Sequence, residues 1–192
     1  MAANPGVSGP VSSEEYERLG ELGILPSSGV ELIDGTIVSM SPRGDRHFFV
    51  VSELSDIFST HPKRNYRVCC ESLSLQALPK SMPEPDIALA RLGRSYAKRR
   101  PQPNEIALIV EVADTSYAYD TGVKKSIYAK AGIPEYWVFD IRVDRNVVLR
   151  YTEPLDDDYR LCETKYAADT IAPGEYPDVV VDLPVVLHTE DD

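Results

Sequence analysis

Long apolar runs are missing from this 192-residue chain. None approaches the ~20 residues that cross a bilayer as a helix. The opening MAANPGVSGPVSS lacks the basic start and apolar centre of a secretory signal, so a cytoplasmic location is expected. Cysteine is scarce as well. Three residues, two of them the adjacent Cys69 and Cys70, make no disulfide framework. The three histidines, His47, His61 and His188, are scattered and do not read as a zinc site. No phosphate-binding loop or dinucleotide fingerprint occurs, which argues against nucleoside-triphosphate chemistry. There is no internal repeat. Positive charge is in short supply: 20 Lys and Arg face 31 Asp and Glu, for a net charge of −11. Such a chain has no general electrostatic pull on nucleic acid.

What is present suits a soluble globular protein, with 43% apolar and 27% charged residues. The length fits one domain over residues 1–192, with 1–11 as a flexible arm and 188–192 as an acidic tail. Charge is unevenly spread. RLGRSYAKRR, from Arg91 to Arg100, holds five basic residues and no acidic one. It is either a solvated loop or a local nucleic-acid contact.

Ser12 with Glu15 three residues on predicts a capping box and a helix to about Leu22. VELIDGTIVSM predicts a hairpin turning at Asp34-Gly35. Phe48, Val51, Leu54, Ser55 and Phe58 recur at helical spacing, so residues 45–60 should form an amphipathic helix. YRVCC and LSLQAL look like strands, with Cys69 and Cys70 on opposite faces. DIALA (86–90), EIALIVEVA (105–113) and EYWVFD (135–140) are apolar enough for strands buried on both faces. A helix is expected over about 120–131, stopped by Gly132 and Pro134. Strand–helix–strand order over 105–140 favours a parallel crossover. NVVLRYTE and YRLCETKY read as a late hairpin around the acidic loop PLDDD, and VVVDLPVVL as a last strand or edge segment. The expected fold is α/β, a mixed central sheet flanked by helices and preceded by an N-terminal helix and hairpin.

Two acids stand out. Glu111 interrupts the apolar run LIVEVA, and Asp86 opens DIALA. An unpaired carboxylate buried in a strand costs several kcal/mol or stays protonated. Each alone is explained by a strand-end charge or a buried salt bridge. Together on neighbouring strands they suggest a site for a hard divalent cation such as Mg²⁺. A common nuclease pattern puts a lysine two residues after the glutamate, where this chain has Ala113. The following helix offers Lys124 and Lys125. At ~100° per residue from Val123, Ile127 lies at about 40°, Ala131 at about 80° and Tyr128 at about 140°. The apolar face therefore centres near 60–70°. Lys124, at about 100°, falls inside it, and Lys125, at about 200°, does not. Lys124 either supplies the missing cation or only snorkels from that face. Asp120, one turn earlier, can cap the helix or pair with Lys124.

These residues resemble the PD-(D/E)XK superfamily of restriction-endonuclease-like proteins, and within it the bacterial Uma-type endonucleases. The resemblance rests on ELIDGTI (31–37), PEPDIALA (83–90), LIVEVADTS (108–116), YDTGVKKSIYAKAGIPEYWVFD (119–140) and VVLRY, and spans roughly residues 12–187. It implies that Asp86, Glu111 and the main-chain carbonyl of Val112 hold Mg²⁺, with Mn²⁺ as a substitute. It implies that Lys124 replaces the motif lysine and that Glu31 completes the site from the first hairpin. His47 matches a frequent family position, while Asp120 and Glu135 read as structural. Tyr136 and Trp137 read as packing. The implied activity is Mg²⁺-dependent DNA endonuclease cleavage, in a homodimer because two sites address two strands. Arg91–Arg100 would then lie on the DNA side. The competing reading is a catalytically silent nuclease fold used as a binding or assembly module. A third is a hydrolase of another phosphate ester.

Overall fold

The computed structural model describes residues 9–40, 42–70 and 75–187. Most of the expected arm and the whole acidic tail, with His188, lie outside these. At the end of the expected arm, Val11 N–H donates to the Gly35 carbonyl at 2.8 Å.

Helix α1 (Ser13–Glu21) starts with the expected reciprocal cap: Glu15 N–H donates to Ser12 Oγ, and Ser12 N–H to the Glu15 carboxylate. Strands β1 (Val30–Ile33) and β2 (Thr36–Ser39) follow. Asp34 and Gly35 join them with φ of 46° and 79°, the two positive values that a tight right-twisting hairpin requires. Helix α2 (Asp45–Thr60) buries Val50, Val51, Leu54 and Phe58.

The central sheet has six strands in sequence order: β3 (Tyr66–Cys70), β4 (Ile87–Arg91), β5 (Ile106–Ala113), β6 (Glu135–Asp140), β7 (Val147–Leu155) and β8 (Asp158–Tyr166). Every neighbouring pair is antiparallel except β5–β6, the expected parallel crossover. Two-residue strands β9 (Thr170–Ile171) and β10 (Val181–Asp182) pair with each other outside it. Helix α5 (Leu183–Val186) closes the described chain, so VVVDLPVVL is half strand and half helix.

Alternation along β5 sorts its side chains between two cores. Leu108, Val110 and Val112 pack with α2, Trp137 and Phe139. Ile109 and Ala113 face Ile127, Tyr128 and Tyr136 on the other side. Glu111 shares the parity of Ile109 and Ala113 and therefore points towards the second group. Cys69 and Cys70 divide between the same two cores.

Three expectations fail. The described part of LSLQAL is not a sheet strand: residues 71–74 lie outside the described chain, and residues 75–78 form only an isolated Leu78–Ser81 bridge. Short hydrophobic alternation there serves packing, with Leu75 wholly buried. The acidic loop is shorter than expected, because Pro154 and Leu155 pair with Tyr159 and Asp158. The crossover helix also begins earlier. It runs as α3 (Tyr117–Tyr119), a wide π turn over Asp120–Lys124, and α4 (Lys125–Lys130). It ends as expected at Gly132, whose φ is 74°, with Ile133 N–H reaching back to the Tyr128 carbonyl.

Candidate active site

The fold brings Glu31, Asp86, Glu111 and Lys124 to one cleft of about 420 Å³, also lined by Arg43, His47, Val112, Tyr119 and Asp120. Because β4 and β5 are antiparallel with Ile87 opposite Val110, the start of β4 meets the end of β5. Asp86 stands just before β4 and Glu111 sits within β5, so register alone sets the two acids side by side. Each of the four predicted residues is at most 4% exposed.

Lys124 is the hub. Its Nζ lies 2.9 Å from Glu111 Oε1, 3.5 Å from Glu31 Oε2 and 4.0 Å from Asp120 Oδ1. It also donates to the Glu84 carbonyl at 3.5 Å. Burial works against its charge, but Glu111, Glu31, Asp120 and Asp86 outweigh that and hold its pKa above the ordinary lysine range. Lys125 takes the outward path, pairing with the exposed Asp158. Helical-face geometry thus picks the lysine that enters the cleft, although its reference point is off. Val123, assigned to the apolar face, is 40% exposed. The π turn widens the helix at Asp120–Lys124 and rotates the face one position onwards. Such turns sit at functional positions in many helices.

The acids differ sharply. Burial alone would raise Asp86, but the hydrogen bond and charge of His47, the charge of Lys124 and the Val112 amide hold its carboxyl below the usual value. Its Oδ2 accepts from His47 Nε2 at 3.1 Å and Val112 N–H at 2.8 Å. Arg43 approaches Oδ1 at 3.2 Å. Glu111 is pushed well above the carboxylate range by burial, reinforced by Asp86 and Asp120 and only partly countered by Lys124. Its Oε1 accepts from Tyr128 Oη at 2.7 Å besides Lys124. Asp120 is pushed up to about 6 by burial, despite Lys124 and a 2.5 Å hydrogen bond from Ser116 Oγ. Glu31 accepts from Glu84 N–H at 3.2 Å. His47 Nδ1 is buried without a hydrogen-bond partner among the described residues.

A divalent cation suits this donor set. Asp86 and Glu111 supply hard oxygens, and burial together with the neighbouring Asp86 and Asp120 pushes the Glu111 carboxyl up, a load that a bound cation would relieve. The Val112 carbonyl could complete the set. In a strand, N–H and C=O of one residue point to the same edge, and Val112 N–H points at Asp86, past the end of β4. Continuing the β4–β5 register by two residues sets Pro85 opposite Val112, and proline has no N–H to give that carbonyl. Among the described residues no three His, Cys, Asp or Glu side chains converge to hold an ion alone. Two carboxylates, one carbonyl and outside oxygens are what Mg²⁺ ordinarily takes.

Not every expected residue arrives. The Arg91–Arg100 stretch does not line the cleft. Arg91 is at the far end of β4 from Asp86, clamped on Glu175. Arg99 pairs with Glu105, and Arg100 with Glu17. The charges that sequence counted as free are mostly neutralised locally. Glu135 is elsewhere too, accepting from Trp137 Nε1, Arg150 Nε and Gly174 N–H. Tyr136 and Trp137 are wholly buried packing residues. Arg43 and Tyr128 were not foreseen as site residues. Tyr128 lies one turn after Lys124, a spacing that gave the clue; Arg43, in a loop, offered none.

A mixed sheet sandwiched by helices, with Asp86 and Glu111 at adjoining strand ends and a helix-borne Lys124, defines a restriction-endonuclease-like protein. A solved structure titled as a putative nuclease belonging to DUF820, from Anabaena variabilis, has this fold. It superposes with a TM-score of 0.67 at 18% identity, over 88% of this chain and 97% of its own. No curated protein matches the sequence. The sequence does match the Uma2 family, described as "Putative restriction endonuclease", over residues 13–184, and the chain belongs to that family.

Proposed function

We propose that the protein is an Mg²⁺-dependent endonuclease that hydrolyses DNA phosphodiester bonds, with Mn²⁺ able to substitute. The observation that carries this is the convergence of Asp86, Glu111 and Lys124 on one cleft, with Lys124 Nζ 2.9 Å from Glu111. Asp86, Glu111 and the Val112 carbonyl would hold the ion. Bound there, Mg²⁺ lowers the pKa of a water and offsets charge on the phosphoryl group in the transition state. Lys124 brings a fixed ammonium to the same place, where it stabilises the developing negative charge. Glu31 and Asp120 hold Lys124 from either side, and Glu31 is the fourth member of the catalytic set. His47 orients Asp86 through Nε2. With a net charge of −11 a lone copy attracts DNA weakly. A homodimer gathers two clefts on the two strands of a duplex.

Cleavage of supercoiled plasmid and of single-stranded DNA in Mg²⁺ or Mn²⁺ tests this. Asp86→Ala, Glu111→Gln and Lys124→Ala should each lower the rate by about 100-fold or more. Inactive wild-type protein under all these conditions would favour the silent binding module instead. Activity surviving in all three variants would point to a different site.

A further inference from the structure

The lip of the cleft holds a cation of its own. Arg43 lies in the loop just before α2, and its guanidinium sits 3.2 Å from Asp86 Oδ1. The other oxygen, Oδ2, already takes two donors, His47 Nε2 and Val112 N–H. Oδ1 is therefore the oxygen that Asp86 has to offer an incoming ion, and Arg43 is on it. Asp86 is buried, whereas the Arg43 side chain is 31% exposed at the lip of the cleft.

We propose that Arg43 is a resident counter-ion that a divalent cation displaces from Asp86, and that the displaced guanidinium then binds a phosphate of the nucleic-acid backbone. This rests on the metal-dependent reading above and adds a phosphate-binding residue and a coupling to it. Two like charges cannot both sit on one carboxylate oxygen in a confined cleft, so ion binding pushes Arg43 outwards. A freed guanidinium presents a planar fork of donors that matches a phosphate. Its surroundings suit an anion. Gly44 caps α2 without any side-chain hydrogen bond, so no side chain competes from the cap position for the first-turn N–H groups. Gly44 and His47 both line the cleft, and the positive end of the α2 dipole adds to the attraction. Glu84 lies within electrostatic reach of Arg43 and opposes any anion until Arg43 offsets it. Metal and phosphate therefore help each other: each favours the arrangement in which Arg43 has left Asp86.

The test uses the full chain and reads binding. Mn²⁺ affinity is measured by calorimetry or electron paramagnetic resonance without DNA, for wild type, Arg43→Ala, Arg43→Lys and Asp86→Ala. Removing the competitor in Arg43→Ala should tighten Mn²⁺ binding about twofold to fivefold, the range of a partly exposed ion pair. Fluorescence anisotropy then follows a short single-stranded oligonucleotide with and without Ca²⁺ as the probe ion. In wild type Ca²⁺ should tighten oligonucleotide binding. In Arg43→Ala that gain should largely vanish, and in Arg43→Lys it should be partly kept, since charge remains but the fork is lost. If wild type binds Mn²⁺ through Asp86 and Arg43→Ala leaves the affinity unchanged or weaker, the counter-ion role is overturned while the metal reading stands. If the Ca²⁺ gain survives Arg43→Ala, the phosphate role is overturned. If Asp86→Ala binds Mn²⁺ as well as wild type does, the metal reading falls and takes this proposal with it.

Discussion

Glu111 and Glu135 are both glutamates buried in adjacent strands of the sheet, β5 and β6, at 3% and 5% exposure. Their surroundings could hardly differ more. Glu135 is met by Arg150, the Trp137 indole and the Gly174 amide, so both its oxygens have donors. Glu111 shares a single lysine with Glu31 and Asp120. One is a carboxylate matched donor for donor, which is how a fold tolerates a buried charge. The other draws on one ammonium that two further acids also share, and the cation of the proposed function would relieve that imbalance. Buried acids in central strands are thus not equivalent, and counting donors separates a fully matched carboxylate from the one that the proposed function assigns to chemistry.

The comparison breaks most visibly under paired substitution. Glu111→Gln should abolish cleavage yet leave stability at pH 8 equal or higher. The sign follows from its raised pKa. Below the unfolded value near 4.5 both states carry the proton, and the folded state suffers no penalty. As pH rises towards the folded value, the unfolded chain ionises first and stability is lost. Glutamine removes that loss, so the variant's advantage should grow from about pH 4.5 upwards. Glu135→Gln should instead cost about 2 kcal/mol at pH 8, by weakening hydrogen bonds to a charged partner. Thermal unfolding in chelator from pH 4 to 9 reads both. Equal destabilisation of the two variants at pH 8 would erase the distinction.

Asp120→Asn sharpens it within the site. Asp120 is raised from 3.8 to about 6, chiefly by burial. Wild type should therefore lose stability relative to the variant between about pH 4 and pH 6, by about 3 kcal/mol in all for a shift of roughly two units. Asparagine still accepts from Ser116. A parallel pair of stability curves across that window would contradict the assignment.

Legibility of the sequence followed the same divide. Apolar runs such as LIVEVA and EYWVFD fixed central strands and their parallel crossover, because burial on both faces leaves a compositional mark. Asp86 and Glu111 were visible as acids where acids are costly. Lys124 was legible through helix periodicity, even though the π turn at Asp120–Lys124 moved Val123 into solvent. A π turn inserts one residue per turn and leaves no periodic signal. Arg91–Arg100 was legible as a basic cluster but its partners were not, because clustering says nothing of Glu175, Glu105 and Glu17, acids that come from elsewhere in the chain or the next turn. LSLQAL alternates like a strand, but its described part, residues 75–78, joins no named strand and buries Leu75. Arg43 was invisible, since nothing local ties a loop arginine to an aspartate 43 positions later.

The smallest expected effect is the most discriminating. Tyr128 hydroxyl donates to Glu111 Oε1 at 2.7 Å and is itself held neutral, its pKa well above the phenol range through burial and the charge of Glu111. Tyr128→Phe deletes one buried donor to a carboxylate that already has too few. It should cost about 1 kcal/mol in stability and lower cleavage roughly tenfold or less. Packing alone would give a similar stability change, so the single variant decides little. A double-mutant cycle decides more. If the hydroxyl matters because it serves the Glu111 charge, Tyr128→Phe in the Glu111→Gln background should cost clearly less at pH 8, where Glu111 is most ionised, than in wild type. The two costs should converge as pH falls and Glu111 gains its proton. A cost independent of residue 111 and of pH would reduce Tyr128 to a packing residue and leave Lys124 as the sole donor that Glu111 needs.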